Sequence, residues 1–364
     1  MTNQDFTTSS YKQNINPTTN ASRYVNNLEV LRNLKNHSAP ETLKLYTGWG
    51  GLRKEIYNPT IYKQLLQILT REEIDSLKKT LTSAYYTPTE IVKFIYQWLL
   101  EHKFTGGAIL EPAIGNGVFV EHMSQEIKNN SVVDAVEIDK VTSEITQKLH
   151  PQIKLTTCGF EAYNPDKKYD LIIGNPPYGS NQVEDVKHPD LNEYCIHHYF
   201  VAKSMRLLKQ GGILAMVLPS YFLDNMTKHV RQIIKNEGGN LLDAYRLPDD
   251  LFQDAKVTID IVFLTKGYTN NKWLYSRKVK INNYHMPLNE FYIQHPEKVL
   301  GTFEVVDMYE RKGLTCKRNT DDIFTLLHSK LNQISKPNFE QTILERLKKV
   351  EFEIQDIMQC LAVH

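Results

Sequence analysis

The chain has 364 residues, of which 41% are hydrophobic and 23% charged, and its formal net charge is +1. That profile fits a soluble globular protein with room for one large or two modest domains; it excludes a strongly basic nucleic-acid coat but leaves space for a local basic cleft. No apolar run approaches the roughly 20 residues of a membrane-spanning helix, and the polar start "MTNQDFTTSSYKQNINPTTNAS" lacks the apolar segment of a signal peptide, so a cytoplasmic chain with no membrane partner is expected.

Residues 1 to about 25, rich in Thr, Asn and Ser, are expected to be a loose tail. "NLEVLRNLKN" (27–36) and "TIYKQLLQILTREEIDSLKKTL" (60–81) carry helical apolar spacing. Between them "YTGWGGL" (46–52) reads as a tight glycine turn carrying Trp49 as an anchor. From Ala84 to Lys266 strands and helices alternate. "IVKFIYQWLLEH" is a helix, "GGAILEPAIGNGVF" a strand breaking into a glycine turn, "SVVDAVEIDK" a strand ending in acids, and "YDLIIGN" a third strand. "HHYFVAKSMRLLKQGG" is an amphipathic helix stopped by Gly211 and Gly212, followed by the strands "ILAMVLPS", "LLDAYRLP" and "VTIDIVFLTK". The pattern predicts an α/β, Rossmann-like domain: a mostly parallel sheet covered on both faces. Two helices are predicted to close the chain, one from about Asp321 with Ile323, Leu326, Leu327, Leu331 and Ile334, the other with Ile343, Leu347, Val350, Ile354, Ile357 and Leu361. They are expected to pack as a hairpin on their own domain, with a homodimer or a partner subunit as the alternative use of the second seam. The expected division is 1–83 as tail and helical extension, 84–266 as catalytic domain, and 267–364 as a C-terminal region. Cys158, Cys195, Cys316 and Cys360 are scattered without a C-x-x-C pair, so reduced thiols are expected, with no disulfide framework and no metal.

The chemistry concentrates at two turns. In "ILEPAIGNGVF", Glu111, Gly115 and Gly117 follow a strand, where backbone can approach a ligand beyond the strand's carboxyl end. About 20 residues on, the second strand ends at Glu137, Ile138 and Asp139, where an acid can accept hydrogen bonds from ribose hydroxyls. A dinucleotide and S-adenosylmethionine both suit such a pair, although the third glycine of the dinucleotide fingerprint is missing. "GNPPYG" decides between them. An exocyclic amine on a base is a poor nucleophile, since its lone pair is delocalised into the ring. Two acceptors facing its N–H bonds draw it toward tetrahedral geometry. The Asn175 side-chain oxygen and the Pro176 carbonyl supply them, Pro176 and Pro177 hold both in place, and Tyr178 offers a face for a flat base. The strand end is thus read as a clamp for an amino group held beside a methyl donor.

"AYYTPTEIV", "ILEPAIGNGVF", "VEID", "GF", "LIIGNPPYG" and "FQDAKVTIDIVFLTK" occur here in the order found in gamma-type, adenine-N6-specific amino-group DNA methyltransferases, which residues 84–266 resemble. "YTGWGGL" and "NEFYIQHPEKVLGT" (289–302) are similar to segments of the large methylase–helicase proteins of phages and mobile elements; the chain has no helicase part and resembles a free-standing methylase of that group. The resemblance implies S-adenosyl-L-methionine as cofactor, double-stranded DNA as partner, base flipping, and a place in restriction–modification. By the same resemblance Tyr86, Thr87, Glu111, Pro112, Gly115, Gly117, Glu137, Ile138, Phe160 and Asn175 hold the cofactor, with Glu111 and the glycines at its methionine end, Glu137 at its ribose and Phe160 on its adenine. Phe252 falls where the family places a second aromatic against the target base, opposite Tyr178. The family's acid before the adenine aromatic is replaced by Gly159, which leaves backbone groups or Glu161 for that contact. Arg277, Lys278 and Lys280 in "WLYSRKVKINNYH", and "RKGLTCKR" (311–318), are candidate phosphate contacts or ordinary surface. A glutamine amide of a release factor, a base of ribosomal RNA, the amine of cytosine, and a non-catalytic methylase-fold subunit stand as the alternatives.

Overall fold

A computed structural model describes residues 20–36, 40–81, 86–252, 255–267, 272–308 and 311–333. Helix α1 (Asn20–Asn36) begins inside the stretch expected to be loose, and α2 (Pro40–Leu43) follows. The apolar pattern over 60–81 forms two helices, α3 (Pro59–Leu65) and α4 (Arg71–Lys78). The break has a local cause: Thr70 and Glu73 make a reciprocal capping box that starts a new helix. Glu73 also receives the Lys35 ammonium at 2.6 Å, tying α4 to α1. The extension buries Leu31, Leu34, Leu52, Ile74 and Leu77 in a core shared with Val141 and Ile145 of the neighbouring domain.

Next come α5 (Thr89–Glu101), β1 (Gly107–Glu111), α6 (Val118–Glu121), α7 (Gln125–Asn129), β2 (Ser131–Glu137), α8 (Lys140–Leu149), β3 (Lys154–Thr157) and β4 (Tyr169–Gly174). They are followed by α9 (Ile196–Leu207), β5 (Leu208–Pro219), α10 (Tyr221–Asp224), α11 (His229–Asn236), β6 (Gly239–Leu247) and β7 (Ile259–Lys266). One seven-stranded sheet has the order β3-β2-β1-β4-β5-β7-β6, and β7 runs opposite to the other six strands. This is the Rossmann-like α/β architecture that the alternating pattern predicts. Strand order reverses between β1 and β4, the place where ligands bind in open α/β sheets. Leu110 pairs with Ile172, so Glu111 and Asn175 leave the sheet at the same edge. The central strands are buried on both faces, as a sheet covered by two helix layers requires. Helix α9 ends at Leu207, earlier than the expected stop at Gly211–Gly212; Leu208 already pairs with Tyr169 and opens β5.

β8 (Ser276–Ile281) and β9 (Tyr284–Asn289) form a hairpin, then α12 (Glu290–Gln294), a second hairpin of β10 (Thr302–Met308) and β11 (Arg311–Lys317), and α13 (Ile323–Ser329). The boundary expected at Lys266 runs through continuous packing. Trp273, Leu274, Leu288 and Tyr292 lie in one core with α9 and β5, while Ile323 and Leu327 lie in the other with α5 and Tyr245. Arg246, fully buried, pairs with Asp224 and Asp260 at 2.6 and 2.8 Å and lies over the Tyr292 ring. The predicted α13 starts as read, with Asp322 capping it; Ile334, the second helix over Ile343–Leu361 and Cys360 lie outside the described residues. Among the described residues no helix is long and apolar enough to cross a membrane.

Candidate active site

β1 delivers Glu111 to a turn in which Gly115 (φ 53°) and Gly117 (φ 78°) take left-handed conformations. The Gly115 N–H donates to one Glu137 oxygen at 2.9 Å and the Asp139 N–H to the other at 2.8 Å, so the carboxylate at the end of β2 is gripped by backbone. Asp139 caps α8 and also accepts from Trp49 Nε1 at 2.8 Å. Thr142 of α8 bonds Tyr46, whose hydroxyl meets that of Tyr86 at 3.0 Å. A Cβ on Gly48 (φ 97°) would collide with the Tyr86 ring. The N-terminal glycine–tryptophan turn therefore builds the wall that holds Tyr86.

These groups enclose a cavity of about 1100 Å³, mouth included. Of the residues expected to hold a cofactor, Tyr86, Thr87, Glu111, Pro112, Gly115, Glu137, Ile138, Phe160 and Asn175 line it. Gly117 does not; a Cβ there would strike the His150 ring, so this glycine serves the packing of α8. Glu111 and Glu137 are both buried. Burial, then the neighbouring Glu137 charge, pushes the Glu111 carboxyl well above its usual range, and its Oε2 has no hydrogen-bond partner among the described residues. Glu137 is pushed up to about 7 by burial, with Asp139 adding to the rise and its backbone donors opposing it. Two desolvated carboxylates in one cavity suit a ligand that brings positive charge and hydroxyl donors. S-adenosylmethionine, with its ammonium, sulfonium and ribose diol, has that chemistry.

The far wall is set by a buried ion pair. Lys203 of α9 bonds Asp185 at 2.8 Å and donates to the Phe160 carbonyl at 2.7 Å and that of Glu161 at 3.2 Å. Phe160 packs against Phe200 at a ring separation of 4.8 Å. The Glu161 carboxylate folds into the place where a Cβ on residue 159 would stand, and it lines the cavity.

β4 ends at Gly174, and Asn175 and Pro177 line the same cavity as Glu111 and Glu137. Pro176 and Tyr178 are buried beside it. The Tyr178 hydroxyl donates to the Val217 carbonyl at 3.0 Å, which pins the ring to β5. Tyr178 and Phe252 meet edge to face, 6.4 Å apart at 87°.

The Eco57I restriction-modification methylase model matches residues 54–242, more than half of the chain and all of the cavity's walls from Tyr86 to Phe200. The chain belongs to the Eco57I restriction-modification methylase family. S-adenosylmethionine is the cofactor of this methylase family. The defense against restriction protein B of Escherichia phage P1 is 28% identical over 191 residues, which are 50% of this chain and 8% of that protein. The type II methyltransferase M.HincII of Haemophilus influenzae is 30% identical over 178 residues, 45% of this chain and 33% of that enzyme. The tRNA1(Val) (adenine(37)-N6)-methyltransferase of Pedobacter heparinus is 30% identical over 121 residues, 30% of this chain and 51% of that enzyme. The chain thus matches about half the length of these relatives or less.

Outside the shared methylase fold, the basic segments differ from each other. Arg277, Lys278 and Lys280 stand exposed on β8, with Arg277 paired to Glu290 at 3.1 Å. In the second segment Lys312, Lys317 and Arg318 are each paired, to Asp307, Asp249 and Asp250, which offsets three of its four positive charges. Sequence reasoning missed Tyr46, Thr142, Asp185 and Lys203, and Asp139, read there only as an acid for ribose, instead caps α8 and holds Trp49. Lys203 had a signal: it sits four residues after Tyr199 on the otherwise apolar face of "HHYFVAKSMRLL", where a lysine needs a buried partner.

Proposed function

We propose that this methylase transfers a methyl group to the N6 amino group of adenine in DNA, with the target base flipped out of the duplex. The observation that carries the reading is the shared cavity: the amino-group clamp at Asn175 and the carboxylate pair Glu111–Glu137 line one space at the sheet's switch point. S-adenosylmethionine, when bound, supplies an electrophilic methyl on a sulfonium sulfur. Glu111 would hold its ammonium end, Glu137 its ribose hydroxyls, and Phe160 would stack on its adenine. Glu161 would accept from the adenine amine in place of the acid absent at Gly159, since its carboxylate already fills that position.

On the substrate side, the Asn175 side-chain oxygen and the Pro176 carbonyl accept the two N–H bonds of the target amine. The two prolines fix that pair before the base arrives, which lowers the reorganisation needed in the transition state. The nitrogen's lone pair is then free to attack in line, and the surplus proton leaves for solvent after transfer, so no strong general base is needed. An adenine inside a duplex cannot reach the clamp, and extruding it costs a few kcal/mol. With Tyr178 and Phe252 edge to face, the base would lie against one ring face and the edge of the other.

The test uses the full chain, labelled S-adenosylmethionine, and duplex DNA, transfer RNA and release factor in parallel. Label in N6-methyladenine from DNA, lost in Asn175→Ala, is the expected result. The Pedobacter relative favours a second reading, adenine in structured RNA, which label in the transfer RNA would select.

A further inference from the structure

Cys195, His197 and His198 sit together at the start of α9, and one potential ligand atom from each lies within 4.8 Å of the others. The Cys195 sulfur is 3.4 Å from His197 Nε2 and 3.7 Å from Nδ1. A tetrahedral zinc with bonds of about 2.3 Å to sulfur and about 2.1 Å to nitrogen holds such a pair roughly 3.6 Å apart. Both imidazoles are buried, and His198 Nε2 has no hydrogen-bond partner among the described residues. That orphaned nitrogen is the second, independent sign of a missing ligand.

We propose that Cys195, His197 and His198 form a site for a zinc ion, three protein ligands leaving a fourth position for water. A thiolate and two imidazoles are the donor set zinc prefers. Both rings are buried, and a neutral imidazole offers a lone pair to a metal. His197 is also hydrogen-bonded by the Gly179 backbone, the kind of outer contact that orients a ligating ring. Aromatic rings close the surroundings, Tyr221 at 4.9 Å from His197 and Phe222 at 5.7 Å from His198. Arg231 faces His198 and opposes added positive charge. Binding therefore replaces the thiol proton: Zn²⁺ takes the Cys195 sulfur as thiolate and one proton leaves to solvent, which limits the added charge to one unit. Such an ion would fix the His197 ring, which bonds the backbone of Gly179, the residue after Tyr178 in the catalytic turn. The search for paired cysteines in the sequence passes over this site, because it uses one cysteine and two adjacent histidines.

The experiment titrates the metal-free full chain with Co²⁺ and then Zn²⁺. The expected result is one Co²⁺ per chain with a sulfur-to-cobalt charge-transfer band, displaced by Zn²⁺. Cys195→Ser and His198→Ala should each weaken binding at least tenfold, while His198→Cys retains it. Absence of the band, or equal binding in the wild type and both variants, overturns the proposal. Cofactor binding reports whether each variant is folded. Should a variant unfold, alkylation of Cys195 in the wild-type chain, mapped by peptide with and without Zn²⁺, decides: protection supports the site and unchanged labelling overturns it.

Discussion

At the ends of β1 and β2, each cavity group is held by buried partners: Glu137 by two backbone donors, Asp139 by Trp49, and Tyr86 by Tyr46 and the bare face of Gly48. At the β8–β9 hairpin, the basic side chains stand exposed on a two-stranded ribbon and their charges have at most surface partners. The first arrangement suits a small ligand whose affinity depends on groups fixed beforehand. The second suits a polyanion, whose charge can be met by mobile cations and whose binding falls with salt. Asn175 lies where the two requirements meet.

The largest expected effect lies at that junction. Asn175→Ala should cut single-turnover methyl transfer by about 10²–10³-fold or more, as removal of a preorganised transition-state hydrogen bond does, while calorimetry shows cofactor affinity nearly unchanged. A loss confined to cofactor affinity would assign Asn175 to the first region instead. Glu137→Gln should weaken S-adenosylmethionine by about 10–100-fold, the cost of a charge-assisted hydrogen bond. It should also remove a pH dependence. The Glu137 proton is retained up to about pH 7 in the free protein, so the accepting carboxylate forms as pH rises through that value. Wild-type affinity should therefore climb from acidic to neutral pH, and that of the glutamine variant should stay flat over the same interval. Gly48→Ala, which pushes against the Tyr86 ring, should lower cofactor affinity about tenfold, a cost of the size of one displaced wall residue. The smallest effect belongs to the hairpin. Lys278→Ala with Lys280→Ala should lower DNA affinity only modestly, and should reduce the slope of log affinity against log salt by about one unit for each phosphate no longer neutralised. An unchanged slope would place DNA elsewhere.

Much of the first region could be read from local sequence, because its chemistry lies at strand ends: Glu111 closing β1 with Gly115 in the turn beyond, Glu137 closing β2, and Asn175 following β4. What closes the site could not. Gly48 meets Tyr86, Trp49 meets Asp139 and Lys203 meets Asp185 only after the chain has folded. Gly117 carried the pattern of a ligand glycine, yet its freedom from a Cβ serves His150. The basic run 311–318 read as unpaired charge because two of its partners, Asp249 and Asp250, lie far back in the chain, between β6 and β7, and meet it only when β11 docks there. The boundary at Lys266 followed a weakening of pattern, while the buried Trp273, Tyr292 and Leu327 are too widely spaced to give a periodic signal.

The central claim is an amine clamp facing a methyl donor, and transfer of labelled methyl from S-adenosylmethionine into duplex DNA tests it most directly. Hydrolysis of the DNA is predicted to yield label in N6-methyladenine, and Asn175→Ala to abolish it with cofactor still bound. Label that persists in the alanine variant, or that reaches no nucleobase while the cofactor binds, would contradict that claim.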